Sequence, residues 1–215
     1  MTSVAANIAT VRTHIPAGVT LVCVSKFHPA EMIAQAYSVG ERDFGESHVQ
    51  ELLKKHEILP EDIRWHMIGH LQTNKVRAIM PFVYLIHSVD SQRLLETIQR
   101  EAARIGRVVN VLLEVHVARE ETKSGFTPDE LQNLLDSGLL NQMPNVHVEG
   151  IMGMATNTDD TTEIQRCFDT LAAICHAHPE WNTLSMGMSE DYRQAIAAGS
   201  TMVRIGSVIF GERQY

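Results

Sequence analysis

The chain has 215 residues, 44% of them hydrophobic and 20% charged, a balance that suits one globular domain, residues 1–215, with a sizeable core. Its formal net charge of -8 offers no basic surface to a phosphate backbone, which excludes nucleic acid as an expected partner. Three cysteines (Cys23, Cys167 and Cys175) cannot pair completely and show no CxxC spacing, so reduced thiols are expected rather than a disulfide framework.

In chain order, short β-rich runs alternate with helical ones. Residues 19–25 (VTLVCVS) form an apolar run of the kind buried on both faces of a parallel sheet. A helix is expected from about Pro29, with Gly40 as its stop. Asp43-Phe44 gives a short second strand and 49–57 a second helix. Residues 64–68 and 72–79 supply the third pair. A fourth strand at 83–88 precedes a helix over 92–105, for which Ser91 is a suitable N-cap. The fifth strand covers 108–115, and Thr127 with Glu130 reads as a capping box for the next helix. Strand six is expected at 145–152, with a long helix over 160–177. Leu184-Ser185 is a weak seventh strand, followed by a helix over 190–198 and an eighth strand at 202–205.

Eight strands with seven helices between them predict a (β/α)8 (TIM) barrel. The helix missing at the end can come from 3–14, folded back over the closing seam. An open doubly wound sheet is the alternative. No linker or low-complexity stretch divides the chain. The N-terminus lacks a basic segment ahead of an apolar core, and no apolar run approaches the roughly 18 residues of a membrane span, so a soluble, cytoplasmic protein is expected.

In such a barrel, function gathers at the C-terminal ends of the strands. Lys26 follows a fully apolar strand, where partial desolvation makes an amine a better nucleophile toward carbonyls. A stem packed at the rim with its head in water is the equally open structural reading. Of five lysines in the chain, Lys26 is the best Schiff-base candidate. Ser189, at an expected helix start, and Arg204-Ile205-Gly206-Ser207, after the last strand, suit an anion held between the seventh and eighth loops. Taken alone, Ser189 also reads as a plain N-cap and Gly206 as a turn. His66-x3-His70 straddles a strand end and is followed by Met67 where a zincin has its glutamate, so no metal is expected. Walker A, GxGxxG and GxSxG sequences are absent.

At these residues the chain resembles the pyridoxal phosphate homeostasis proteins, the YggS/PROSC family. The matching stretches are Val24-Ser25-Lys26, Phe44-Gly45-Glu46 through Val49-Gln50-Glu51, WHMIGHLQTNK from Trp65 to Lys75, and LSMGMSEDYRQAIAAGSTMVRIGSVIFGER from Leu184 to Arg213. The resemblance runs from about residue 19 to the C-terminus. It implies a barrel similar to the N-terminal domain of alanine racemase, with pyridoxal 5′-phosphate (PLP) as cofactor in an aldimine on Lys26. By the same resemblance Ser189, Gly206 and Ser207 hold the phosphate, Arg204 faces the pyridine nitrogen, and Met186 or its neighbours line the ring site. Lys123-Ser124-Gly125-Phe126 resembles a family loop near the cofactor. Two departures stand out: Ser47 replaces a common asparagine, and Phe27 follows the lysine where relatives often carry a small polar residue.

A racemase needs a base on each face of the substrate α-carbon. Fold relatives with that activity supply one as a tyrosine from a second domain and a partner subunit, for which a chain ending at Tyr215 is expected to have no room. Tyr37, Tyr84 and Tyr192 fall within or beside expected elements. A cationic Arg204 at the pyridine nitrogen disfavours its protonation and weakens the ring as an electron sink. The expectation is a non-catalytic PLP carrier in intracellular PLP homeostasis, monomeric, with PLP-dependent enzymes as clients. The alternatives are a PLP-dependent amino-acid racemase and a cofactor-free Schiff-base aldolase.

Overall fold

The alternation of apolar runs and helical segments closes on itself. In a computed structural model, which describes residues 3–120 and 124–212, eight parallel strands pair in chain order and the last pairs with the first. The elements are α1 (Val4–Arg12), β1 (Thr20–Val24), α2 (Ala30–Ser38), β2 (Asp43–Glu46), α3 (Val49–Ile58), β3 (Arg64–Met67), α4 (Val76–Ile79), β4 (Leu85–Val89) and α5 (Gln92–Arg104). There follow β5 (Val109–Val115), α6 (Pro128–Asp136), β6 (Val146–Gly153), α7 (Thr161–His176), β7 (Thr183–Ser185), α8 (Tyr192–Ala197), β8 (Met202–Ile205) and α9 (Ser207–Phe210). The expected (β/α)8 barrel is the observed fold, and the open sheet is excluded by the β1–β8 register, in which Val22 lies opposite Arg204 and Cys23 opposite Ile205.

Strand residues alternate between two environments, as a closed barrel requires. Val22, Leu85, Leu112, Met152 and Met202 pack together in the lumen. Cys23, Phe44, Trp65, Ile86, Leu113 and Val203 join the larger core between strands and helices. Gly150 lies where β6 and β7 approach too closely for a side chain: an added Cβ would stand 1.9 Å from the Thr183 carbonyl oxygen.

Local signals set several helix ends. Ser91 accepts a hydrogen bond from Leu94 N, and Thr127 with Glu130 forms the full capping box. Three expectations change. Residues 72–79 split into a 3-10 turn (Thr73–Lys75) and the four-residue α4. Pro29 is the N-cap of α2 rather than its first residue. The helix expected from 190 begins at Tyr192, because the Asp191 carboxylate accepts from Met188 N at 2.6 Å and holds the preceding residues in a turn.

The N-terminal helix closes the seam as expected. Val4, Ile8 and Val11 are buried, and α1 packs against α2 and α9. Asn7 Nδ2 donates to Ile209 O at 2.9 Å, and Arg12 pairs with the buried Glu41. The short α9 is an element that sequence patterning did not mark. Among the described residues no helix is long and apolar enough to cross a membrane. Ile8→Ala should cost about 2–4 kcal/mol in urea unfolding; a loss below about 1 kcal/mol would mean that α1 is not part of the core.

Candidate functional site

β1 ends at Val24, and Ser25 and Lys26 form the turn that follows at the C-terminal mouth of the barrel. Lys26 is half-buried and lines a cavity of about 240 Å³ together with Val24, Ser189, Arg204, Gly206 and Ser207. These come from the ends of β1, β7 and β8. Met154 and Met188 add apolar wall.

The β8 side of the cavity is built from backbone. Gly206 is the N-cap of α9, and its N–H donates to Ser189 Oγ at 3.3 Å. Ser189 is therefore no helix cap; it ties the loop after β7 to the loop after β8. A Cβ on Gly206 would come within 3.1 Å of Val24 O, so the glycine lets β8 run close beside β1. The first N–H groups of α9 have no carbonyl one turn back to bond. With the hydroxyls of Ser189 and Ser207 they form a cradle whose chemistry suits an anion.

Arg204 rises from the lumen into this cavity and is buried. Nη1 donates to Ser185 O at 2.8 Å and to Ser185 Oγ at 2.6 Å, and Nη2 donates to Gly153 O at 3.1 Å. Burial lowers its pKa to about 10, against the attraction of Glu114 and Asp191, so it stays a cation at neutral pH. Three of five N–H donors are spent on the barrel, and two remain for a ligand.

A second cluster fixes the turn that carries Lys26. Lys55, on α3, is buried and donates from Nζ to Ser25 O (2.8 Å), Glu46 Oε1 (2.8 Å) and Glu51 Oε1 (2.7 Å). Ser25 Oγ donates to Glu46 Oε1 at 2.6 Å, and Phe27 N donates to Glu51 Oε1 at 2.7 Å. Backbone on both sides of Lys26 is thus clamped by one ammonium and two carboxylates. Phe27 sits at φ 65, left-handed and strained for a side chain of that size, and the bond to Glu51 offsets that strain. Burial lifts the Glu46 pKa to about 7 against the pull of Lys55 and Ser25.

Known proteins resemble this chain over nearly its whole length. The family model for the alanine racemase N-terminal domain matches residues 1–214. The pyridoxal phosphate homeostasis protein of Aquifex aeolicus is 42% identical over 201 residues, spanning 91% of this chain and 87% of its own. That of Pseudomonas aeruginosa is 36% identical over 227 aligned positions, covering 100% and 98%. The chain belongs to the pyridoxal phosphate homeostasis family.

Among solved structures, PipY of Synechococcus elongatus, determined with PLP bound, matches at a TM-score of 0.89 with 36% identity, over 97% of this chain and 100% of that one. An alanine racemase from Clostridium difficile matches at 0.81 with 13% identity, over 99% of this chain and 57% of the racemase, a likeness of fold alone.

Of the residues to which family resemblance drew attention, Lys26, Ser189, Arg204, Gly206 and Ser207 meet around one cavity. Met186 does not. Ser185 faces the lumen, so the next side chain in alternation turns outward, and Met186 is fully buried in the outer core. Its neighbour Met188 reaches the cavity instead. Ser47 lines a separate cavity of about 440 Å³ on the other side of Lys26. Lys123 lies outside the described residues. Sequence reasoning missed Lys55, Glu46 and Glu51 as a group. The signal was present: Val49, Leu52 and Lys55 recur every three residues, which puts Lys55 on the buried stripe of α3. Lys55→Met should destabilise the protein by about 3–5 kcal/mol, because Glu46 is left buried without its cation. Urea unfolding of the variant at pH 7 checks this, and a loss under about 1 kcal/mol would show the cluster to be incidental.

Proposed function

We propose that this chain holds PLP covalently through the Lys26 amine and serves intracellular PLP homeostasis as a carrier, without turnover of its own. The observation that carries the reading is the convergence of Lys26, the buried cation Arg204 and the Ser189–Gly206–Ser207 cradle on one cavity at the barrel mouth. The residues fit the cofactor: an amine for its aldehyde, hydroxyls and helix-opening N–H groups for its phosphate, and a guanidinium for its ring nitrogen. When bound, PLP supplies an electrophilic carbonyl carbon and an electron-withdrawing ring.

The roles of the protein groups follow from their surroundings. Lys26 presents its amine from a turn that Lys55 and Glu51 hold in one conformation. Ser189, Ser207 and the first N–H groups of α9 receive the phosphate. Arg204 donates toward the ring nitrogen and, remaining cationic, withholds a proton from it, which lowers the ring's capacity to stabilise a carbanion. Among the described residues, the tyrosines that a two-base racemase would need near the substrate are engaged elsewhere. Tyr37 donates to Asp62, Tyr84 lies beside Arg64, and Tyr192 is buried as the first residue of α8. These points favour uptake and release of PLP over turnover. A monomer delivering PLP to client enzymes in the cytoplasm is the simplest form of the reading, and the buried free thiols Cys23, Cys167 and Cys175 suit a reducing compartment.

The test is α-proton exchange of L-alanine in D2O, followed by NMR with PLP-loaded protein. Exchange is expected to run no faster than with free PLP at the same concentration. Exchange well above that level, abolished by Lys26→Ala, would make the protein a catalyst instead.

A further inference from the structure

Beside its apolar cluster the lumen carries a row of polar side chains, where a parallel barrel is ordinarily filled with branched apolar ones. Asp43 on β2, His66 on β3, His87 on β4, Ser185 on β7 and Arg204 on β8 are all buried. Consecutive members are bonded: Asp43 Oδ1 to His66 Nε2 at 3.0 Å, His66 Nδ1 to His87 Nε2 at 2.9 Å, His87 Nδ1 to Ser185 Oγ at 3.1 Å, and Ser185 Oγ to Arg204 Nη1 at 2.6 Å. Two strands separate β4 from β7, so the His87–Ser185 bond crosses the lumen.

Donor and acceptor capacity gives the row a direction. Arg204 can only donate, so Ser185 Oγ accepts from it and has one hydrogen to give His87 Nδ1. A His87 ring accepting at Nδ1 carries its hydrogen on Nε2 and donates it to His66 Nδ1. His66 in turn donates from Nε2 to the Asp43 carboxylate. Both rings are neutral in this arrangement and every link is satisfied. Burial, with His66 and Arg204 as neighbours, keeps the His87 pKa well below the usual imidazole value. At the far end burial would raise the Asp43 pKa, but bonds from Arg64 and His66 outweigh it and hold it at about 2, so the terminal acceptor is charged.

We infer that Asp43, His66, His87 and Ser185 are positioning residues for Arg204, a directional row of hydrogen bonds that fixes its guanidinium at the cavity. The spectral readout of this inference rests on the reading that the cofactor ring lies beside Arg204. The groups facing His66 are Asp43, His87 and Tyr84, and Arg64 bonds the same Asp43 carboxylate. Those facing His87 are His66, Ser185 and Arg204, and Arg204 also feels Glu114 and Asp191.

The test has two readouts. In cofactor-free protein labelled with 15N-histidine, NMR at pH 8 is expected to find both His66 and His87 as neutral Nε2–H tautomers. Either ring in the Nδ1–H form would overturn the directional row, whatever ligand the cavity takes. In PLP-loaded protein, the visible absorption maximum is expected to shift in His66→Gln and in Ser185→Ala, as Arg204 loses its fixed orientation. A maximum unchanged in both folded variants would overturn the positioning role. If one variant does not fold, the other and the tautomer measurement still decide.

Discussion

The register of β1 against β8 is the constraint on which the rest depends. With Val22 opposite Arg204 and Cys23 opposite Ile205, the two strands leave the barrel at the same level. Lys26 then enters the mouth beside Gly206 and Ser207, which lie far away in the chain. Gly206 is what permits this approach, since a side chain there would press on Val24. The seam is reinforced from outside by α1, whose Asn7 bonds the last turn of α9. Closing the barrel and assembling the site are one event.

Around that seam the protein divides its polar groups into two supports. One is outside the barrel, where Lys55 binds the backbone before Lys26 and Glu51 the backbone after it. The other runs through the lumen and ends on Arg204. Both place charge in low-dielectric surroundings, which contributes less to stability than apolar packing of the same volume would. Such groups hold a lysine and an arginine in fixed orientation, and that is worth more to a binding protein than a slightly deeper core.

Much of this was legible in the sequence, for physical reasons. Residues 19–25 read as a strand because an apolar run there suits burial on both faces, and the observed strand is Thr20–Val24; Lys26 stood out as the charge that ends that run. Thr127 and Glu130 announced their helix through chemistry local to four residues. What escaped was information carried by phase or by distant partners. Family resemblance implied Met186 or its neighbours for the ring site; alternation after β7 turns Met186 into the core, and the neighbour Met188 lines the cavity. His66 was weighed against His70 by spacing, whereas its strand phase points it into the lumen toward His87, a partner 21 residues away. Lys55 is buried by tertiary packing against Glu46 and the Ser25 carbonyl, partners that lie on other elements of the fold. Helix α9 is four residues long, too short to leave a periodic pattern.

The most direct measurement is borohydride reduction of the protein after incubation with PLP, followed by peptide mass mapping. A single reduced adduct on Lys26 is the expected result, with its yield falling in Ser207→Ala as the phosphate loses a donor. An adduct on Lys54 or Lys75, with none at Lys26, would contradict the assignment of this cavity as the PLP site.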